Sequence, residues 1–463
     1  MKKMISEKLA EQVQMEVLKR IHPSKKEVAT LKKLVDDLKG KISIILKKAG
    51  ITARIELTGS FSRDTWLAGT RDIDLFLILP YDSPFNPEEV LRVIRQKLSL
   101  EWEKRHAQHP YLFTYYHNVQ VEIIPCYEYQ QGRPLRSPVD RSPLHKKFVL
   151  THLPVGGNDE VRLLKQFMKG IGVYGADIKV NGFSGYLVEL LIIHFAGRFL
   201  EVLKHANTLA EEVITFDPKV VTPREAFKED ILVVIDPTDS SRNVASAVKE
   251  QALTNFIAAA SRYLKRPSLV YFFPPTKRVT EQTVNKLYAH PLAFAAIIYP
   301  RPAIVDDVLW GQIRKLEASV AKYLERQELR VISIDTVVTQ EEVFTFILTQ
   351  QSHTPEERWQ TGPPVALNNA DEFIRKYQNN PSTIYGPAPI GKRWQVFVKQ
   401  KAKRLDELIT EGIQRKMITT PSHLQLKESK VLFKDALLEQ IKENKELIRF
   451  LSQLVVGKPP YLC

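Results

Sequence analysis

Two aspartates one residue apart, Asp72 and Asp74, interrupt the start of the apolar run "RDIDLFLIL". Strand side chains alternate faces, so a strand here turns both carboxylates one way and Ile73 and Leu75 the other. Neighbouring carboxylates at the rim of a core repel each other and lose hydration, and a divalent cation resolves both costs. Hard oxygen ligands suit Mg²⁺, which keeps several waters and completes its shell with substrate phosphates. A third acid, Glu122, stands in a second apolar run, "VQVEIIP". It would complete a two-metal clamp, or else form an ion pair with an arginine. Upstream, Gly59-Ser60 ends the strand-like "ARIELTG" and opens a short helix. Glycine there lets the backbone approach a ligand, and the amides of a turn and helix start attract anions. Ser60 can donate to a phosphate oxygen, and Arg63, one helical turn on, faces the same side. Phosphates on the turn and metal on the strand make a nucleoside triphosphate site without a P-loop, since no GxxxxGK[ST] occurs.

Other residues are weighed against plainer roles. On "RLLKQFMK", Arg162, Lys165 and Lys169 share one helical face opposite Leu163, Leu164 and Phe167; a solvated charge stripe is the default reading. "GIGVYG" matches a dinucleotide fingerprint in letters only, because it follows a helix, where Gly170 reads as a C-terminal cap. Tyr174 within it either stacks on a base or sugar or simply packs. His106, His109 and His117 lack cysteine or acidic partners at zinc spacing. Arg242, in "SSRN", is placed at a helix start behind Ser240 or Ser241. Its guanidinium fork could read a feature that C and A share and G and U lack, an acceptor ring nitrogen beside an amino group. Near the C-terminus, "GKRWQVFVKQKAKR" mixes Lys392, Arg393, Lys399, Lys401, Lys403 and Arg404 with Trp394 and Phe397. That is either an RNA-contacting segment or an amphipathic strand with Trp394 in the core.

These residues need elements to position them. The 463 residues allow two to four domains, and 44% hydrophobic with 26% charged residues is a globular composition. A net charge of +14 favours a polyanionic partner, nucleic acid or an acidic membrane surface. Two cysteines, Cys126 and Cys463, provide no disulfide framework and suit a reducing cytoplasm. The charged "MKKMISEKLAEQVQ" has no apolar segment of a signal peptide, and "YLVELLIIHFAGRFL", broken by Glu189 and His194, is too short to span a bilayer. Residues 1–50 read as helix broken at "HPSKKE", with a capping box at Ser24 and Glu27. Residues 51–135 alternate strands and helices, 158–264 read as helical, and the remainder mixes short strands ("LVYFFP", "AAIIYP", "LRVISIDTV", "VFTFILT", "WQVFVKQ") with the helix "WGQIRKLEASVAKYLERQ".

"GSFSRDTWLAGTRDID" resembles the Gly-Ser and Asp-x-Asp signature of the DNA polymerase β nucleotidyltransferase superfamily. "SPVDRSPLHKKFV", "RLLKQFMKGIGVYGADIKVNGFSGYLVELL", "DPTDSSRNVASAV" and "GPAPIGKRWQVFVKQ" resemble segments of archaeal-type (class I) CCA-adding enzymes, in the same order. The resemblance spans about residues 50–400. It implies an α+β multidomain protein: a polymerase-β-like nucleotidyltransferase head (1–140, a mixed sheet with helices), a helical nucleotide-binding neck (141–264), and a mixed α/β body and tail (265–463) gripping tRNA. The implied reaction is template-independent addition of C, C and A to the tRNA 3′ end from CTP and ATP, with Mg²⁺, by a cytoplasmic homodimer unattached to membrane. Asp72, Asp74 and Glu122 would be catalytic metal ligands. Ser60 and Arg63 would contact the triphosphate, Lys165 would line the pocket and neutralise the leaving group, His145 and Tyr174 would line the pocket, and Arg242 would reach base and phosphates. The family's third metal carboxylate is usually Asp, whereas this chain has Glu122. Rival readings are a poly(A) polymerase or oligoadenylate synthetase, which share the head, and a non-catalytic RNA-binding relative, which would tend to lose the carboxylates kept here.

Overall fold

The computed structural model describes residues 2–106, 110–219, 224–276, 278–367 and 370–462. His109 and Cys463, weighed above, lie outside them. The chain forms two compact units, Met1–Pro275 and Thr276–Cys463.

The first unit is built on five strands: β1 (Arg54–Leu57), β2 (Asp72–Leu79), β3 (Glu103–His106), β4 (Pro110–Tyr116) and β5 (Val119–Tyr127). Their order is β1-β2-β5-β4-β3. Only β2 and β5 run parallel, and the helix Pro87–Lys97 supplies part of the crossover that a parallel pair needs. Alternation then sorts the side chains. Ile73, Leu75, Leu77, Val121 and Ile123 face the helices Lys25–Lys48 and Pro87–Lys97 in one core. The long helix contributes Leu31, Val35, Leu38, Ile42 and Leu46, a single stripe at helical spacing. Its capping box is present: Ser24 Oγ accepts from the Glu27 amide at 3.2 Å, and the Ser24 amide donates to Glu27 at 2.9 Å. The opposite sheet face buries a smaller cluster, Phe76, Ile78, Ile124 and Cys126. Burial pushes the Cys126 thiol far up, so it stays a protonated core residue.

Five helices follow: Ser142–His152, Gly157–Gly170, Gly185–His194, Phe199–Lys204 and Glu250–Lys265. Phe167 holds them together by edge contacts with Phe199, Phe256, Tyr263 and Phe272. The helical reading of 158–264 misses a small sheet of three strands, β6 (Val213–Ile214), β7 (Val233–Asp236) and β8 (Asp239–Asn243). Arg242 therefore sits on a strand, not at a helix start. The Asp236–Asp239 segment turns β7 back on β8, and Asn243 Oδ1 fixes the pair by accepting from the Val234 amide at 2.9 Å. Likewise "LVYFFP" forms only a 3₁₀ turn at Leu269–Tyr271, where its aromatics sink into the helical cluster. Gly170 ends its helix without positive φ; it is small because a Cβ would meet the Tyr271 carbonyl at 2.1 Å.

The second unit contains a four-stranded antiparallel sheet ordered Val331–Val338, Glu342–Thr349, Ala293–Pro300, Lys430–Phe433. The helix Asp306–Arg326 covers one face, and the helices Lys434–Ile441 and Lys445–Val456 cover the other. A three-stranded sheet, Glu357–Pro364, Arg393–Lys399 and Thr383–Ile390, packs Val396 and Val398 against Phe373 and Tyr377 of the helix Ala370–Gln378.

Candidate active site

The β2–β5 register pairs Asp72 with Gln120 and Asp74 with Glu122. All three acids therefore share the face that carries Phe76 and Ile124, at its polar end. Among the described residues, no side-chain hydrogen bond or ion pair engages Asp72 or Asp74. Burial, followed by repulsion from Asp72, pushes the Asp74 carboxyl up to about 6 against the pull of Arg63. Burial also raises Asp72, opposed by Lys169. Gly59 makes room for this arrangement: its φ is +66°, and a Cβ there would lie 1.8 Å from Asp74 Oδ2. Two bare carboxylates with raised proton affinity fit a divalent cation. Among the described residues no three acids, histidines or cysteines group closely enough to hold a metal ion, so Glu122 shares the face of the aspartate pair without closing on it.

The short helix Gly59–Ser62 carries Ser60, and the chain then turns through Arg63–Trp66. Four successive carbonyls of that turn accept from side chains of one helix, Gly157–Gly170. Asn158 Nδ2 donates to Arg63 O at 2.8 Å and to Asp64 O at 3.1 Å. Lys165 Nζ donates to Thr65 O at 3.0 Å, and Arg162 Nε to Trp66 O at 2.9 Å. Arg162, 1% exposed, also pairs with Asp64 and Asp159. The basic stripe is thus no solvated face: Arg162 and Lys165 point inward because the turn needs their donors, and only Lys169 is exposed. Glu189, wholly buried, lies behind the same turn. Its Oε2 is 2.9 Å from Arg63 Nε, and its Oε1 is 3.4 Å from Lys165 Nζ and accepts from Thr65 Oγ1 at 2.5 Å. Burial drives the Lys165 ammonium down to about 8, partly offset by Glu189. Burial works against the Glu189 charge too, yet Lys165 and Arg63 hold its carboxyl below the usual range.

A second cluster centres on Asp236, at the end of β7. Its Oδ2 meets His145 Nε2 at 2.9 Å and Arg242 at 2.8 Å, and its Oδ1 accepts from the Thr238 amide at 2.9 Å. Burial opposes its ionisation, but His145 and Thr238 keep the carboxyl far below its ordinary range. Burial lowers the His145 imidazole, opposed by the hydrogen bond and charge of Asp236. Tyr186 stacks on the His145 ring at 4.0 Å, and its buried hydroxyl has no hydrogen-bond partner among the described residues. Tyr174 lies between Glu189 and Asp72: burial raises its hydroxyl most, with Glu189 and Asp72 both adding, and Lys169 Nζ lies 5.3 Å from its ring centre. Asp236, Tyr186 and Glu189 are functional candidates that sequence reasoning passed over, whereas Lys169 was weighed there on the basic helix face. An acid inside "LVELLII" is the signal that pointed to Glu189; Asp236 showed only a turn motif.

Three family models cover this architecture in order: a nucleotidyltransferase domain over residues 38–145, the second domain of tRNA nucleotidyltransferase over 159–273, and the C-terminal domain of CCA-adding enzyme over 292–429. The chain is 36% identical to the CCA-adding enzyme of Pyrobaculum aerophilum, covering 84% of this chain and 90% of that one. It is 34% identical to the CCA-adding enzyme of Sulfurisphaera tokodaii, covering 87% and 92%. The chain belongs to the CCA-adding enzyme family. It is accordingly a tRNA nucleotidyltransferase that adds C, C and A, on a polymerase-β-like fold, and its family uses a divalent metal ion. Among the described residues no helix is long and apolar enough to cross a membrane.

Proposed function

We propose that Asp72, Asp74 and Glu122 hold Mg²⁺ in this CCA-adding enzyme, and that the turn after Gly59 receives the triphosphate of CTP or ATP. The observation that carries this reading is the uncompensated Asp72/Asp74 pair pressed against Gly59. When bound, the metal supplies charge neutralisation at the phosphates and lowers the pKa of the tRNA 3′-hydroxyl that attacks the α-phosphate. Ser60 and the turn amides donate to phosphate oxygens. Arg63 turns its terminal nitrogens to the phosphates, while Lys165 adds charge from beneath the turn as pyrophosphate leaves. Tyr174 supports the sugar or base beside Lys169. Arg242, braced by Asp236 and neighboured by His145, donates to the acceptor nitrogen common to C and A.

The second unit grips the tRNA. Trp359 and Tyr385, about half exposed, stand with Phe397 on one face of its three-stranded sheet, with ring centres 5.3 to 5.9 Å apart, and the net charge is +14. Exposed aromatics amid lysines suit unstacked bases and a phosphate backbone. The domain roles are a head (1–140), a neck (141–264) and a body with tail (265–463). The working form is a cytoplasmic homodimer.

The test is addition to tRNA transcripts ending before CCA, after the first C and after the second, each with one nucleoside triphosphate and Mg²⁺. The expected result is C, then C, then A, and then a stop. Unlimited A on any RNA would favour a poly(A) polymerase instead. Arg242→Ala with unchanged C and A incorporation would remove Arg242 from base recognition.

A further inference from the structure

We propose that Glu189 is the positioning residue of the triphosphate-binding turn, setting the orientation of Arg63 from behind. This rests on the reading that Arg63 meets the triphosphate. A fully buried acid in a helix of Leu, Val and Ile needs a reason to be there, because an unpaired charge in such a place is heavily penalised. Its partners supply the reason. One carboxylate faces two cations, Arg63 and Lys165, and one hydroxyl, Thr65. Glu189 thus draws both cations to the underside of the turn.

The geometry divides the two cations. Lys165 has three N–H donors, and Thr65 O, Thr65 Oγ1 and Glu189 take them at 3.0, 3.1 and 3.4 Å. It holds backbone and has no donor left for a ligand. Arg63 meets Glu189 only through Nε, an ion pair at 2.9 Å whose N–H is not aligned as a hydrogen bond, and its terminal nitrogens have no partner among the described residues. A guanidinium drawn to a buried carboxylate at Nε leaves its two terminal nitrogens for an anion, which bidentate phosphate recognition uses. Glu189 thus acts on substrate through Arg63 without touching it, like an outer-shell group that orients a ligand.

The experiment is a double-mutant cycle on the full-length enzyme with tRNA, using Glu189→Gln and Arg63→Ala. It reads KM for CTP and ATP, kcat, tRNA Kd, and competitive inhibition by inorganic tripolyphosphate. Glu189→Gln is expected to raise both nucleotide KM values and the tripolyphosphate Ki about tenfold while tRNA Kd stays put. In the Arg63→Ala background it should add less than about twofold, because its route to substrate is gone. If the glutamine variant does not fold, Glu189→Asp takes its place: the charge stays, but one methylene less withdraws it from Arg63, and the same non-additivity is expected. Multiplying effects in the double variant, or a loss of tRNA affinity with nucleotide KM untouched, would overturn the proposal. An Arg63→Ala enzyme with unchanged tripolyphosphate inhibition would show instead that Arg63 does not meet the triphosphate, leaving Glu189 nothing to act through.

Discussion

Two sets of charge flank the Gly59–Trp66 turn, one wholly buried and one at the rim of the sheet, and they are treated in opposite ways. Behind it, the charge of Glu189 is met by Arg63 and Lys165, and its Oε1 accepts from Thr65. In front of it, Asp72 and Asp74 stand side by side with no partner among the described residues, and Asp74 is pushed up to about 6. A fold that brings two cations to one carboxylate could have brought one to the others. Compensated charge positions the turn, and uncompensated charge awaits a ligand that arrives from outside. The difference gives opposite expectations for substitutions on the two sides.

The largest effect belongs to the bare side. Asp74→Asn should lower nucleotide addition by at least about a thousandfold while tRNA binding persists, since only the metal ligand is lost. Stability should move the other way. The folded carboxyl has a raised pKa, so at pH 7 its ionised form costs the fold, and the amide removes that cost. A rise of about 2 kcal/mol in chelator-treated protein, read by chemical denaturation, is the expected outcome. A fall would mean that Asp74 has a partner in the fold. Gly59→Ala comes next. Its Cβ would collide with Asp74 Oδ2 and sit at a φ of +66°, so addition should drop about a hundredfold and stability by about 1 kcal/mol or more. Unchanged kinetics would show that Asp74 can turn away without consequence.

The bare side was legible in the sequence and the compensated side was not, for a physical reason. Asp72, Asp74 and Glu122 declare themselves because alternation on a strand is a two-residue rule, whereas the parallel register that pairs Asp74 with Glu122 is read only from the structure. The support of the turn depends on which helix packs behind it. Arg162, Lys165 and Lys169 occupy one face in sequence, yet Arg162 and Lys165 are buried and Lys169 is exposed, a division set by the carbonyls of a loop about a hundred residues earlier. Glu189 appeared in sequence only as an interruption of an apolar helix. Arg242 was misplaced because the hairpin that carries it is closed by a turn and by the Asn243 side chain, signals also found at helix starts. In the second unit, the strand Glu357–Pro364 contains glycine and prolines and lies at a sheet edge, where strand propensity is weakest.

On the compensated side, Lys165→Met should cost about 3 kcal/mol, because it leaves Thr65 O without its donor and Glu189 with one cation fewer. Nucleotide KM should rise only a fewfold. Hundredfold weaker nucleotide binding with intact stability would place Lys165 on the phosphates themselves and erase the distinction between the two sides.

The smallest effect is a slope. Lys165 titrates near 8 in the fold against an ordinary 10.5, so between these values the unfolded chain binds more protons than the native one. Its contribution to stability is therefore complete above the unfolded value and is lost as the pH falls toward 8. Other groups contribute to the raw profile, Lys169 among them, since burial lowers it as well. The informative quantity is the difference between the parent protein and Lys165→Met, followed by denaturant unfolding from pH 7.5 to 10.5. Stability of the parent should climb relative to the variant by about 1 kcal/mol per pH unit inside the window and run parallel to it below. Parallel curves throughout would mean that Glu189 holds the ammonium at its ordinary proton affinity. The charge beneath the turn would then be balanced more tightly than its burial indicates.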